Sequence, residues 1–296
     1  ALLKINPADN VAVALRPLHA GEILPADGKE LTLATDVPAG HKVALRNLEP
    51  GEEVIKYGFP IGRTTAAIPM GSHVHTHNLR TQLGGEQSYA YHPRACGIAA
   101  QPPETFPGYL RENGAVGVRN ELWILPTVGC VSDVAKALER KAQCLTGGGV
   151  EGVYAFSHPY GCSQMGEDQE NTRAILADLA CHPNVGGVLV LGLGCENSGV
   201  EEIQKRIPKE YERRIRYLVC QQADDEIEAG MKLLNELADG MRGEKRTACS
   251  VSKLVIGLKC GGSDGFSGIT ANPVIGGFAD LLTAQGGSVI LTEVPE

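Results

Sequence analysis

Residues 71–78 read GSHVHTHN and set His73, His75 and His77 on alternate positions. The 296-residue chain has only eight histidines, so three within five positions require a cause. On a β-strand alternate residues share a face. The three imidazoles would then lie side by side, with Val74 and Thr76 opposite. Such a row serves a metal ion or an anionic substrate, and it also matches a plain polar strand face.

Nine cysteines form a second group. Their number is odd and no small disulfide framework is visible. The chain reads as cytoplasmic, where thiols stay reduced and cysteines serve metals, catalysis or packing. Cys130 follows LPTVG, Cys162 follows SHPYG, Cys195 follows LGLG and Cys260 follows VIGLK. Each falls at or just beyond the carboxyl end of an expected strand. Cys220 also ends a strand but leads straight into QQADDE. Ligands of doubly wound sheets bind at that edge, so residues from separate strands can converge there. Thiolates bind iron or zinc, although no CxxC pair marks a zinc knuckle. Taken singly, each cysteine is explained as well by a small residue at a crowded strand end.

Other groups with chemistry lie beside these cysteines. His158 and Tyr160 in SHPYGC are natural proton-transfer groups. Glu196 in GCEN is a candidate base or metal ligand, and equally a capping carboxylate. CGGSDGFSGITANP, residues 260–273, offers backbone N–H groups before a helix. It adds the side chains of Ser263, Asp264, Ser267, Thr270 and Asn272. A turn of that kind can hold an anion. It is neither a Walker A loop nor a GxGxxG fingerprint.

The elements that must position these groups change style along the chain. Residues 1–80 are short apolar runs cut by Gly and Pro, which predicts a small β-rich domain. Residues 81–107 carry Gly and Pro without periodicity and are expected to be a linker. From residue 108 to 247, strands and amphipathic helices alternate. ELWILPTVGC, GVYAFSH, VGGVLVLGLGC and IRYLVC read as strands. The helices begin at VSDVAKALERKAQCL, with Ser132 as N-cap. This pattern predicts βαβ units and a mostly parallel, Rossmann-like α/β domain. Residues 248–296, with KLVIGLKC and SVILTEV as strands around a helix, read as the start of a further, truncated α/β domain.

Composition narrows the function classes. Hydrophobic residues make up 43% of the chain and the formal net charge is −8. No Lys/Arg-rich run is present, which argues against nucleic-acid and anionic-membrane partners. No run of about 18 apolar residues occurs, so no bilayer-spanning helix is expected. The first residues, ALLKINPADN, lack both a signal-peptide core and a Met, which reads as trimming. A homo-oligomer is the default expectation.

Together, the strings DNVAVAL, VIKYGFPIG, HVHTHN, NGAVGVRNELWILPTVGCV, FSHPYGCSQMGEDQENTR, LVLGLGCEN, QQADDEIEAG and CGGSDGFSGITANP resemble the altronate/galactarate dehydratase family. The resemblance spans nearly the whole chain, and the HxHxHN string favours the altronate branch. It implies an N-terminal SAF-type β-clip domain over 1–80, and a hydro-lyase converting D-altronate to 2-dehydro-3-deoxy-D-gluconate in hexuronate catabolism. Galactarate or another sugar acid is the alternative substrate. Family members continue well past LTEVPE, so a non-catalytic sugar-acid-binding fragment is a further reading. A redox or iron–sulfur protein is another. The family's chemistry implies Fe2+, with Mn2+ as a substitute. The best ligands here are His73, His75, His77, Cys130, Cys162, Cys195 and Cys260. His158, Tyr160 and Glu196 are the candidate acid–base groups, and the 260–273 segment is the candidate substrate-binding turn.

Overall fold

The computed structural model describes residues 1–82, 90, 92, 97–259 and 265–292. Two compact units emerge. The first comprises 1–99, 257–281 and 289–296, and the second 100–256 and 282–288.

The N-terminal part of the first unit is all β. Its strands are β1 (Leu2–Leu3), β2 (Val11–Ala14), β3 (Ile23–Ala26), β4 (Lys29–Thr32), β5 (Lys42–Ala44), β6 (Glu53–Lys56), β7 (Phe59–Thr64), β8 (His73–Val74) and β9 (Leu79–Arg80). They form a sheet in the order β1-β2-β5-β8, a β3-β4 hairpin and a sheet in the order β6-β7-β9.

One short pattern builds much of this unit. A buried apolar residue is followed three positions later by glycine at Leu18–Gly21, Val37–Gly40, Leu48–Gly51 and Ile68–Gly71. The four glycines have φ of 83°, 80°, 80° and 81°. The same bond closes each turn: Glu22 N–H donates to His19 O, His41 to Pro38, Glu52 to Glu49 and Ser72 to Pro69. A type II turn demands positive φ at its third residue, which favours Gly. Leu18 bridges to Val37, and Leu48 to Ile68. The two pairs sit in separate apolar clusters. The turns at Gly40 and Gly71 launch β5 and β8, which carry the histidines to be described.

The second unit contains β10 (Thr105–Leu110), β11 (Val116–Gly117), β12 (Glu121–Pro126), α1 (Ser132–Ala142), β13 (Gly152–Ala155), α2 (Gly166–Ala180), β14 (Val185–Gly192), α3 (Val200–Gln204), β15 (Ile215–Val219), α4 (Glu226–Met241) and β16 (Thr247–Ser250). A four-stranded sheet runs β13-β12-β14-β15, and every pairing in it is parallel. All eight residues of β14 are buried. Both faces are covered, as a parallel sheet requires. Leu122 and Ile124 pack with Ala135, Leu138, Leu234 and Leu237 of α1 and α4. Trp123 and Leu125 pack with Leu176, Ala177, Val200 and Ile203 of α2 and α3. The chain steps from β12 to β13 on one side, then crosses to β14 on the other. The crossing places a topological switch point between β12 and β14.

Several expectations change. The stretch read as a linker ends in β10, which pairs antiparallel with β16 from Thr105↔Ser250 to Gly108↔Thr247. Pro103 just before the strand and Pro107 within it hid it. This unit therefore also has an antiparallel sheet, β11-β10-β16. Ser132 does not cap α1. A 3-10 turn, Gly129–Val131, feeds directly into the helix, and the Ser132 hydroxyl donates to His158 O at 3.3 Å. By contrast α4 has a side-chain cap, with Asp225 accepting from the N–H groups of Ile227 and Glu228.

The remaining elements are β17 (Val255–Leu258), α5 (Ala271–Ala284) and β18 (Ser288–Leu291). Ser288 N–H donates to Leu254 O and Thr292 N–H to Leu258 O. The partner numbers rise together, so the two strands run in the same direction. They form their own two-stranded sheet rather than joining the sheet of β12–β15. Among the described residues no helix is long and apolar enough to cross a membrane.

The glycine turns yield a paired test. Gly51 and Gly71 share the same φ, but a Cβ on Gly51 meets nothing within 4 Å, whereas one on Gly71 would lie 2.1 Å from Thr32 O. Gly51→Ala should cost about 1–2 kcal/mol, the penalty for a left-handed alanine. Gly71→Ala should cost clearly more. Equal shifts of the urea midpoint for the two variants would show that the close approach is unimportant.

Candidate functional site

The first candidate site is a cluster of four imidazoles in the N-terminal unit. β5 and β8 pair with Val43 opposite His73 and Lys42 opposite Val74. That register brings His41 opposite His75, and their rings stack at 4.8 Å with 17° between planes. His41 Nδ1 lies 2.9 Å from His73 Nε2, so one ring donates and the other accepts. The ring centres of His73 and His75 are 5.5 Å apart, and those of His73 and His77 5.3 Å.

The backbone differs from the expected long strand. Only His73–Val74 is strand, and the chain then turns. Asn78 explains why. Its Oδ1 accepts from His75 N–H at 3.0 Å and its Nδ2 donates to His73 O at 2.9 Å. The asparagine locks a turn that still leaves the three rings together. His41 was absent from the sequence reading. Its signal was the GHK turn, but only the strand register reveals the partner.

Burial, and then the neighbouring His41, His77, His75 and Lys42, push the pKa of His73 down to about 4. His75 is lowered by burial and then by His41, Lys42 and His77. Neutral imidazole at pH 7 is the form that binds a metal, so the donor chemistry of the cluster suits Fe2+ or Mn2+. The rings stack rather than converge, however. Among the described residues no three His, Cys, Asp or Glu side chains come together to hold a metal ion. The histidine cluster is therefore not a preformed metal site among the described residues.

The second candidate site is the carboxyl edge of the parallel sheet. Cys130, Cys162 and Cys195 all follow the ends of parallel strands, β12, β13 and β14 respectively, and all are free and exposed. Asn197 Nδ2 donates to Cys162 O at 3.4 Å. Gln221 Nε2 lies 4.0 Å from Cys195 Sγ. Cys260, Ser263 and Asp264 lie outside the described residues. Ser267 and Thr270 precede α5, Asn272 lies in its first turn, and Thr270 Oγ1 donates to Phe266 O.

At the switch point Glu196 is the best-held polar group. Thr127 Oγ1, just past β12, donates to Glu196 Oε1 at 2.7 Å. The N–H groups of Leu193 and Gly194 donate to its two oxygens at 3.0 and 2.6 Å. Burial works against the charge. The hydrogen bonds from Thr127 and the loop N–H groups together outweigh it and hold the carboxyl below its ordinary value. A Cβ on Gly192 would lie 2.8 Å from Glu196 Oε1, so glycine is needed for the approach. Thr127 was missed in the sequence. Its signal was a hydroxyl residue directly after an otherwise apolar strand.

His158 stands beside this site. Its Nε2 donates to Pro126 O at 2.8 Å, while Nδ1 is buried without a partner among the described residues. Nδ1 is therefore the ring atom left to accept a proton. The Tyr160 ring stacks on that of His158 at 5.7 Å, and Tyr160 is 52% exposed.

A small β-rich N-terminal unit, a carboxylate-bearing switch point in a parallel α/β unit and a further βαβ segment describe a multidomain α/β protein with its candidate chemistry at strand ends. The chain belongs to the altronate/galactarate dehydratase family. Residues 1–82 match its SAF domain, residues 108–242 the second domain of D-galactarate dehydratase/altronate hydrolase, and residues 251–296 the C-terminal domain. It is 47% identical to an altronate dehydratase of Bacillus subtilis and 49% identical to one of Escherichia coli, over 100% and 99% of its own length. It is 33% identical to a galactarate dehydratase (L-threo-forming) of Escherichia coli over 99% of its length. The chain spans 60% of each of the two altronate dehydratases.

The Glu196 network has a pH signature. Glu196→Gln removes a charged acceptor and should cost about 1–3 kcal/mol at pH 7. The folded carboxyl lies below its ordinary value, so its contribution is full above the ordinary carboxylate range. It is lost as pH falls through the folded value. Urea unfolding of wild type and variant should therefore converge in acid. A gap that stays constant with pH would contradict a charged Glu196.

Proposed function

We propose that the full-length protein dehydrates D-altronate to 2-dehydro-3-deoxy-D-gluconate. The observation that carries this reading is the identity of 47% and 49% to two altronate dehydratases, against 33% to a galactarate dehydratase. The overall reaction breaks the C2–H and C3–O bonds. The C2 proton passes to a base, the C3 hydroxyl leaves as water, and the resulting enol becomes the ketone.

The strand-end groups suit this chemistry. His158 would accept the proton through Nδ1, because Nε2 is committed to the Pro126 carbonyl, and substrate binding would have to uncover that buried atom. Tyr160, stacked on it and exposed, is the group able to protonate the leaving hydroxyl. Glu196, held as a carboxylate, is a weak base and serves better as an acceptor for a substrate hydroxyl. A divalent ion, Fe2+ or Mn2+, would be held by His73, His75 and His77 with His41 beside them only if these rings turned from their stacked arrangement to converge on it, and would supply Lewis-acid stabilisation of a carboxylate. The SAF-bearing protein would act in the cytoplasm as a homo-oligomer.

The test uses the full-length enzyme, purified without oxygen, with altronate and galactarate as substrates and formation of a 2-keto-3-deoxy acid as readout. Altronate should be preferred. His73→Ala and His75→Ala should each lower kcat/KM by about 100-fold, equivalent to about 2.7 kcal/mol, and reduce bound iron. Full activity with unchanged iron in both variants would return these histidines to a structural role. A preference for galactarate would overturn the substrate assignment.

A further inference from the structure

The parallel sheet has a second edge, remote from Glu196. β14 has eight residues, so at about 3.3 Å per residue its two ends lie roughly 25 Å apart. At the amino ends of β14 and β15 a cavity of about 690 Å3 opens between the end of β10, the C-terminal half of α4 and the segment before β15. That volume falls within the range of small-molecule sites.

Five cationic side chains line it, Arg111, Arg213, Arg214, Arg216 and Lys245, in a chain of net charge −8. Arg111 is paired with Glu244 at 3.0 Å and is largely buried. Arg213 pairs with Glu112 at 2.9 Å, but both side chains are more than 70% exposed, so the pair is weak and exchangeable. Arg216 meets Glu236 only at 3.4 Å. Arg214 has no carboxylate partner among the described residues. It donates to the carbonyls of Val185 and Cys181 and lies 4.8 Å over the Tyr211 ring, and its Nε is buried without a hydrogen-bond partner among the described residues. Lys245 likewise makes no ion pair among the described residues.

The lining also accepts hydrogen bonds. Glu112 and Glu210 contribute carboxylates, and Asn113 Nδ2 donates to the Tyr211 hydroxyl at 2.6 Å. Guanidinium groups recognise a carboxylate or phosphate, whereas carboxylates and amides recognise hydroxyls. We propose that this cavity binds a small polyhydroxylated anion, a sugar acid or a sugar phosphate, at the edge of the sheet opposite Glu196. The proposal does not depend on the altronate assignment.

The experiment is isothermal titration of the full chain with D-gluconate, with D-glucose 6-phosphate and with uncharged D-glucose, in a phosphate-free buffer. Wild type is compared with Arg213→Glu/Lys245→Glu, which reverses two rim charges. At least one anion should bind saturably, glucose should not, and the double variant should bind about tenfold or more weakly, the scale of one charged hydrogen bond. Gluconate binding alone identifies the ligand as a sugar acid; glucose 6-phosphate binding alone identifies a sugar phosphate. Absence of saturable binding by either anion overturns the proposal. Equal binding of glucose does so too, as does anion binding that the charge reversal leaves intact. If the double variant melts earlier than wild type, Lys245→Ala is read instead. Weaker anion binding then supports the site, and unchanged binding overturns it.

Discussion

The burial of β14 on both faces is the constraint on which the second unit depends. Eight consecutive buried residues leave no face for water, so apolar helices must cover the strand above and below. Short connections cannot do this for parallel strands, and each crossover must carry a helix. With β13 on one side of β12 and β14 on the other, α1 and α2 fall on opposite faces. The loops after β12 and β14 then part at the carboxyl edge, and the gap between them is where the Thr127–Glu196 hydrogen bond forms. The site follows from the topology, and the topology from the apolar character of one strand.

The N-terminal unit reaches a similar end by other means. Its strands are too short to build a sheet of comparable size, and repeated glycine turns impose order instead. Because the turns at Gly40 and Gly71 are equivalent, they present β5 and β8 to each other in a register that gathers four imidazoles. Packing cationic rings together would be unfavourable. Burial first, and then this repulsion, lowers the pKa of His73, and the neutral ring keeps a lone pair available.

Legibility in the sequence followed the strength of the local signal. The strands and helices from β12 to α4 were readable because apolar runs and 3.6-residue periodicity leave little choice. β10 was not, since Pro103 and Pro107 mask a strand whose pairing with β16 is non-local. The spacing of His73, His75 and His77 disclosed that a cluster existed, but assigned it to a strand. Asn78 instead turns the chain through bonds that periodicity cannot express. His41 and Thr127 escaped notice for one reason. Each becomes significant only through a partner more than 30 residues away.

The two edges of the parallel sheet differ electrostatically for a reason built into the βα arrangement. Helices following parallel strands begin at the carboxyl edge, where their amino ends carry partial positive charge, and finish at the amino edge with partial negative charge. Glu196 at the first edge and arginines at the second both match that polarity. The match accounts for one cation near the end of α4, because a helix terminus amounts to only about half an elementary charge. Five cations line the cavity there, and the four carboxylates among its lining residues offset most of their charge but leave Arg214 and Lys245 without an ion-pair partner among the described residues. Two backbone carbonyls and the Tyr211 ring, 4.8 Å from the guanidinium carbon, meet Arg214, while its Nε is buried without a hydrogen-bond partner among the described residues. The helix dipole accounts for the sign of this edge, and the surplus of cation over carboxylate goes beyond what the dipole requires.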